Sequence, residues 1–244
     1  MTTTVVIPAT GMWPRARDLL AGRGRYSEPL ISYAVNAARQ TPGVAHVLVA
    51  TDSNAIASAV VGQCLIWLDN RDNAWCGVQR AARALAVASD DCRAADAILV
   101  VEPQEAELRA PDLEILAAMT VRCAANNARP DILMLAAPIE NPDDVPRGAT
   151  LIRENASDPL EFVRARAGHD SLSQWRAVAA YGFAPGLLAR VGAVGPSVGS
   201  IVDRVEQQAW NEAGFYVVGV PLDRYVRPIC SRAEYTAFLA RRYG

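Results

Sequence analysis

The sequence predicts an α/β fold: a mostly parallel, doubly wound sheet with an inserted antiparallel subdomain. Three observations predict it. Over residues 1–137, apolar runs of strand length alternate with longer segments whose apolar residues recur at helical spacing. After Pro138 the runs shorten and alternate in polarity, which suits antiparallel strands. From residue 201 a helix, a strand and a helix follow in turn. The expected organisation is one domain over 1–244, with an α/β core at 1–137, an inserted antiparallel region at 138–200 and a return to the core at 201–244.

Each element has its own signal. "TTVVIP" is a buried strand, and "EPLISYAVNAARQ" is a helix with Leu30, Tyr33, Ala34 and Ala37 on one face. "VAHVLVATD" is the next strand, and Asp52 and Ser53 stand as caps to the helix in "DSNAIASAVV". The strand "CLIWL", the helix "GVQRAARALAVA", the strand "AILVV", the helix "PDLEILAAMTVRCAANN" and the strand "DILMLAA" complete the core. Strands joined through helices need right-handed crossovers, so both faces of the sheet are covered. "RGATLIREN", "DPLEFVRAR" and "WRAVAAYGF" are the antiparallel strands. "GSIVDRVEQQAWNEAG" reads as one amphipathic helix ended by Gly214, "FYVVGVP" as a last strand, and "SRAEYTAFLARRYG" as a closing helix capped by Ser231.

Composition removes several classes of function. With 51% hydrophobic and 20% charged residues in 244, the chain reads as a globular protein. Its apolar runs are far shorter than a bilayer requires, and "MTTTVVIPAT" has no basic leader, so no membrane partner is expected and the cytoplasm is the expected location. A net charge of −2 does not suit a nucleic-acid surface. Cys64, Cys76, Cys92, Cys123 and Cys230 are scattered without a C-x-x-C pair and are expected to be reduced, mostly core residues. His46 and His169 have no ligand-like neighbours in sequence. All 24 basic residues are arginine, which excludes a Schiff base, a Walker lysine and a lysine clamp on a triphosphate.

Ligands of open parallel sheets lie beyond the carboxyl ends of the strands. The loops at those ends are "PATGMWPRARDLLAGRGRY", "ATDSN", "DNRDNAWCG" and "EPQEAEL". The first carries Arg15, Arg17, Arg23 and Arg25 among three glycines, residue types that suit a phosphate, but matches neither G-x-G-x-x-G nor the P-loop.

These fragments, in this order, resemble the CMP-Kdo synthetases (3-deoxy-manno-octulosonate cytidylyltransferases) of the glycosyltransferase-A-like nucleotidyltransferases. "VVIPA" and "LISYAVNAARQ…VLVATDSNAIASAV" match the family's opening elements. "CGVQRAARAL" stands at S-G-T-E-R, "PLEFVRA" at Y-F-S-R-A, "AAYGF" at I-Y-G/A-Y, and "RVEQQAW" at L-E-Q-L-R. The resemblance implies that 1–137 binds a nucleotide and that 138–200 holds a dimerisation region of a homodimer. It also implies a reaction in which a sugar acid's anomeric hydroxyl attacks the α-phosphorus of CTP, giving CMP-sugar and pyrophosphate with Mg²⁺. Carried over residue by residue, Ala9 and Arg15 would meet the phosphates, and Gly77 and Arg80 the cytosine or ribose. Arg164, Tyr181, Glu206 and Gln207 would meet the sugar-acid acceptor.

Three positions depart from the family pattern. The lysine of the first loop falls near Leu19; the metal-binding Asp of G-D-E-P becomes Gln104, behind Pro103; and the second metal-binding Asp, in V-D-T-P-E-D, becomes Cys230. An amide and a thiol are poor ligands for a hard dication. Glu102, Glu105, Glu107 and Asp223 are the carboxylates left to replace them, and the acidic cluster is expected to be a solvated turn and helix start. The expectation is therefore a cytidylyltransferase-like protein of weak or no turnover. The alternative is a silent paralogue that binds nucleotide or sugar, or serves as a regulatory partner subunit.

Overall fold

The computed structural model describes residues 1–10, 14–22, 28–126, 131–139, 141, 145, 149–153, 161–164, 175–203 and 205–243. Strands β1 (Thr3–Ala9), β2 (Val44–Thr51), β3 (Leu65–Leu68), β4 (Ala97–Val101), β5 (Ile132–Pro138), β8 (Trp175–Phe183) and β9 (Val217–Pro221) form the main sheet in the order β3-β2-β1-β4-β8-β5-β9. The first four run parallel, β9 runs parallel to β5, and β8 lies antiparallel between β4 and β5. Short strands β6 (Thr150–Arg153) and β7 (Glu161–Arg164) pair with each other, and β6 also pairs with the start of β8. The insertion thus contributes one strand inside the main sheet and a hairpin beside it.

Alternation along each strand divides the core between two faces. Val5, Ile7, Leu99, Val101, Leu133 and Leu135 point to one side. There they meet α2 (Leu30–Gln40), α6 (Ala110–Ala125) and α10 (Arg232–Tyr243) through Leu30, Leu113 and Tyr235. Val6, Ile98, Val100, Ile132 and Met134 point to the other side. They meet α4 (Gly77–Ala86), α7 (Leu187–Gly192) and α9 (Glu206–Glu212) through Val78, Leu188 and Trp210. The sheet is doubly wound for this reason: both of its faces are apolar and each is covered. Among the described residues no helix is long and apolar enough to cross a membrane.

The structure corrects several local readings. The long helix expected around residues 199–214 is two helices, α8 (Val198–Asp203) and α9, with Val205 non-helical ahead of α9. Val205 is extended and buried in the second core. Gly214 ends α9 as expected, at φ 83. The first long loop holds a helix, α1 (Pro14–Ala21), that seats Leu19 and Leu20 in the core. Its proline at the first position and Gly22, at φ 65, just beyond the end are helix punctuation. α5 (Asp90–Arg93) and α7 were likewise not expected. Ser53 precedes α3 (Asn54–Ala59) without a side-chain capping bond, and the Asp52 carboxylate turns instead to Thr10 and Arg80. Ser231 caps α10 through the Glu234 amide, 3.3 Å away. All five cysteines are free; Cys92 alone is fully buried, and Cys230 is exposed.

Candidate active-site cleft

The parallel strands β1, β2 and β4 end on one side of the sheet, and β8 crosses that edge in the opposite direction. The cleft there measures about 680 Å³. Its floor is Glu102, directly after β4, together with Ala177, Ala179 and Tyr181 of β8. Trp75 and Cys76 before α4, Ser200 of α8, and Glu206 and Gln207 of α9 form the walls.

Three of the residues expected at a sugar-acid site come together. The Tyr181 hydroxyl donates to Glu206 at 2.9 Å and accepts from the Gln207 amide at 2.6 Å. Tyr181 is 1% exposed, and its ring meets Trp210 edge-on at 5.2 Å, so the phenol is fixed by packing as well as by its hydrogen bonds. Burial, and then the Glu206 charge, raise its pKa well above the ordinary value. The fourth, Arg164, ends β7 opposite Thr150, which lines the cleft. The Arg164 side chain lies outside the described residues, as does that of Arg15 in α1.

The nucleotide-side residues are placed differently. Ala9 is the last residue of β1, 1% exposed and opposite Thr51. Gly77 opens α4, and a Cβ there would come 1.6 Å from Glu102 Oε1. Its smallness therefore makes room for the glutamate. Arg80 is 4% exposed and already neutralised: it binds Asp72 at 2.5 Å and Asp52 at 3.1 Å. Burial would raise the Asp72 pKa, but hydrogen bonds from Arg80 and Arg83 outweigh it and hold the carboxyl below its ordinary value. Arg80 thus ties the loops after β2 and β3 to α4.

The acidic cluster is not the solvated turn the sequence suggested. Glu105 is 2% exposed and receives two N–H bonds from Arg176, at 2.9 and 2.8 Å, and one from the Ala179 amide at 3.1 Å. Glu107 accepts from the Arg227 amide at 2.9 Å and from Arg241 at 2.6 Å. Both are held away from the cleft by arginines distant in sequence. Glu102 alone faces it. Burial of its carboxyl and the nearby Glu206 charge push its pKa up to about 8, against the pull of Arg80 and a hydrogen bond from Gln104. The shift favours the protonated form of Glu102. Burial and Glu206 also raise the Cys76 thiol.

The loops that carry Gln104 and Cys230 meet where the Ile229 amide donates to the Gln104 carbonyl at 2.8 Å; Gln104 lines the cleft and Cys230 does not. Asp223 is exposed and does not line the cleft. Among the described residues no group of three or more His, Cys, Asp or Glu is arranged around a possible metal position. His46 lies in β2, and His169 falls outside the described residues.

Comparison of the sequence finds no matching family model and no matching curated protein. Comparison of the structure is informative. A CMP:2-keto-3-deoxy-manno-octonic acid synthetase solved in complex with CTP superposes with a TM-score of 0.76, over 99% of this chain and 100% of that one, at 20% identity. The chain shares the fold of that synthetase. A 4-diphosphocytidyl-2C-methyl-D-erythritol synthase superposes with a TM-score of 0.60 at 18% identity, over 99% of this chain and 97% of that one.

Sequence reasoning missed Asp52 and Asp72, the partners of Arg80, and the cleft-wall residues Trp75 and Cys76. Asp72 and Cys76 lie in "DNRDNAWCG", a loop flagged by its position after a strand. The burial that gives them partners has no signature in sequence.

Proposed function

We propose that the protein is a cytidylyltransferase-type nucleotidyltransferase that binds CTP at the carboxyl ends of the parallel strands, beside the cleft between the end of β4 and β8, and transfers CMP to an acidic sugar-like acceptor slowly or not at all. The observation that supports the reading is full-length superposition on a synthetase solved with CTP, beside the hydrogen-bonded Tyr181–Glu206–Gln207 cluster that lines this chain's cleft.

In the transfer itself an acceptor hydroxyl attacks the α-phosphorus, a new P–O bond forms, the bond to the β-phosphate breaks, and pyrophosphate leaves while the hydroxyl proton passes to solvent or a base. Tyr181, Glu206 and Gln207 offer one phenol, one carboxylate and one amide to acceptor hydroxyls. The protonated Glu102 adds an O–H donor at the floor. Mg²⁺ is the ion that would supply charge neutralisation in such a reaction. The donors at the two expected positions do not fit it: Gln104 brings a neutral amide and Cys230 a thiol. Glu105 and Glu107, two further carboxylates of the same loop, are held by Arg176 and Arg241.

Calorimetry with CTP, with and without Mg²⁺, alongside pyrophosphate release with a panel of sugar acids, tests the reading. CTP binding that Mg²⁺ strengthens little, with slow release of pyrophosphate, is the expected result. Absence of CTP binding would defeat the nucleotide assignment, and rapid metal-dependent turnover would defeat the account of Gln104 and Cys230.

A further inference from the structure

A second concavity of about 330 Å³ lies on the far side of the loop that follows β4. The loop over residues 102–109 serves both: Glu102 and Gln104 line the cleft, whereas Glu107 and Arg109 line this pocket. Four arginines converge on it from three parts of the chain. Arg109 precedes α6, Arg224 lies on the loop after β9, and Arg241 and Arg242 come from the last turn of α10. Tyr225 and Phe238 add aromatic wall.

The charges there do not balance. Arg224 binds Asp112 at 2.5 Å and the Glu107 carbonyl at 3.1 Å; Arg241 binds the Glu107 carboxylate at 2.6 Å. Two carboxylates thus face four guanidinium groups. Arg242 lies over the Tyr33 ring at 4.8 Å, and among the described residues neither Arg242 nor Arg109 has a carboxylate partner. Bringing like charges into one concavity costs free energy unless an anion offsets it. The planar fork of arginine matches the oxygens of a phosphate, and charge-assisted bonds of this type are the strong ones. The volume lies at the small end of ligand pockets, which typically start at about 300 Å³.

We propose that this pocket is a binding site for a phosphoryl dianion, carried on a small molecule or free in solution, and distinct from the cleft. Arg109 and Arg242 supply the uncompensated charge, Arg224 and Arg241 hold the pocket's shape through their carboxylates, and Tyr225 and Phe238 offer a face to the organic part of a phosphomonoester. The inference does not depend on the cytidylyltransferase reading, because none of these residues lines the cleft.

Calorimetry on the full chain with inorganic phosphate and with glucose 6-phosphate, at constant ionic strength, provides the test. Saturable one-site binding is expected, weakened by about tenfold in Arg109→Gln and again in Arg242→Gln. Arg122→Gln, on the exposed side of α6, is expected to bind as the parent does. Tighter binding of the sugar phosphate supports seating on the aromatic wall, and equal binding supports recognition of the phosphoryl group alone. Both exchanged side chains are on exposed residues, so melting near that of the parent is expected; if Arg242→Gln does not fold, Arg109→Gln decides. Absence of saturable binding, or binding of parental strength in Arg109→Gln, overturns the proposal.

Discussion

Arg176 grips Glu105 through two N–H donors at 2.9 and 2.8 Å, and each residue is only 2% exposed. The same guanidinium donates to the carbonyls of Val226 and Ala177. One buried ion pair therefore fastens the loop after β4, the strand β8 and the segment after β9 into a unit. Removing one partner strands the other charge away from water, which costs about 3–5 kcal/mol. Glu105→Gln and Arg176→Gln are each expected to lower the melting temperature by roughly 10 °C. The double variant should lose less than the sum of the two, a coupling measurable by thermal unfolding.

Glu102 sets a pH dependence of the opposite sign to that of a salt-bridged carboxylate. Its pKa rises from 4.5 to about 8 on folding, so between those values the folded protein holds more protons than the unfolded chain. Stability from this group is intact below pH 4.5 and declines as pH rises toward 8. Glu102→Gln keeps the shape and removes the titration. The variant is expected to be more stable than the parent at pH 8 by roughly 2 kcal/mol, a value that allows for solvent reaching the cleft. The two should match at pH 5. A parent–variant difference that does not change with pH would rule the assignment out.

The strands and the two-faced core were legible because alternation and helical spacing survive in any one sequence: Val5 and Ile7 against Val6 is a pattern before it is a packing arrangement. Tyr181, Glu206 and Gln207 were legible only through fragments in family order, and they meet at the cleft. Glu105 was not legible. "EAEL" before a helix reads as a solvated start, and only the fold brings Arg176 to it, 71 residues away in sequence. Arg80 was expected beside the cytosine or ribose of a nucleotide; its partners Asp52 and Asp72 depend on how the loops after β2 and β3 converge, which no local pattern shows. The break at Val205 was missed because the helical periodicity on either side of it runs through without a glycine or proline to mark it.

Gln104 and Cys230 give a gain-of-function test of the alignment. The Ile229 amide bond to the Gln104 carbonyl brings the two loops together, and the test asks whether carboxylates introduced at both positions reach a common ion. Gln104→Asp combined with Cys230→Asp is expected to bind Mg²⁺ at least tenfold more tightly than the parent, with either single change giving less. Calorimetry with Mg²⁺ alone and then with CTP present measures it. Unaltered Mg²⁺ affinity in the double variant would show that the two positions do not form a metal site.

Tyr181→Phe separates the roles of ring and hydroxyl. The phenyl ring keeps its edge-on contact with Trp210, at 5.2 Å, while the hydroxyl bonds to Glu206 and Gln207 disappear. Because Gln207 is buried, its amide is left without that acceptor, and the expected cost is about 1–2 kcal/mol, or roughly 2–8 °C in melting temperature. The phenol lies on the acceptor side of the proposed site, so CTP affinity should stay within about twofold of the parent. Any acceptor-dependent pyrophosphate release should fall by about tenfold, the loss of one hydrogen bond to a polar ligand. A matching loss of CTP affinity would move Tyr181 to the nucleotide side and require the cleft to be reassigned.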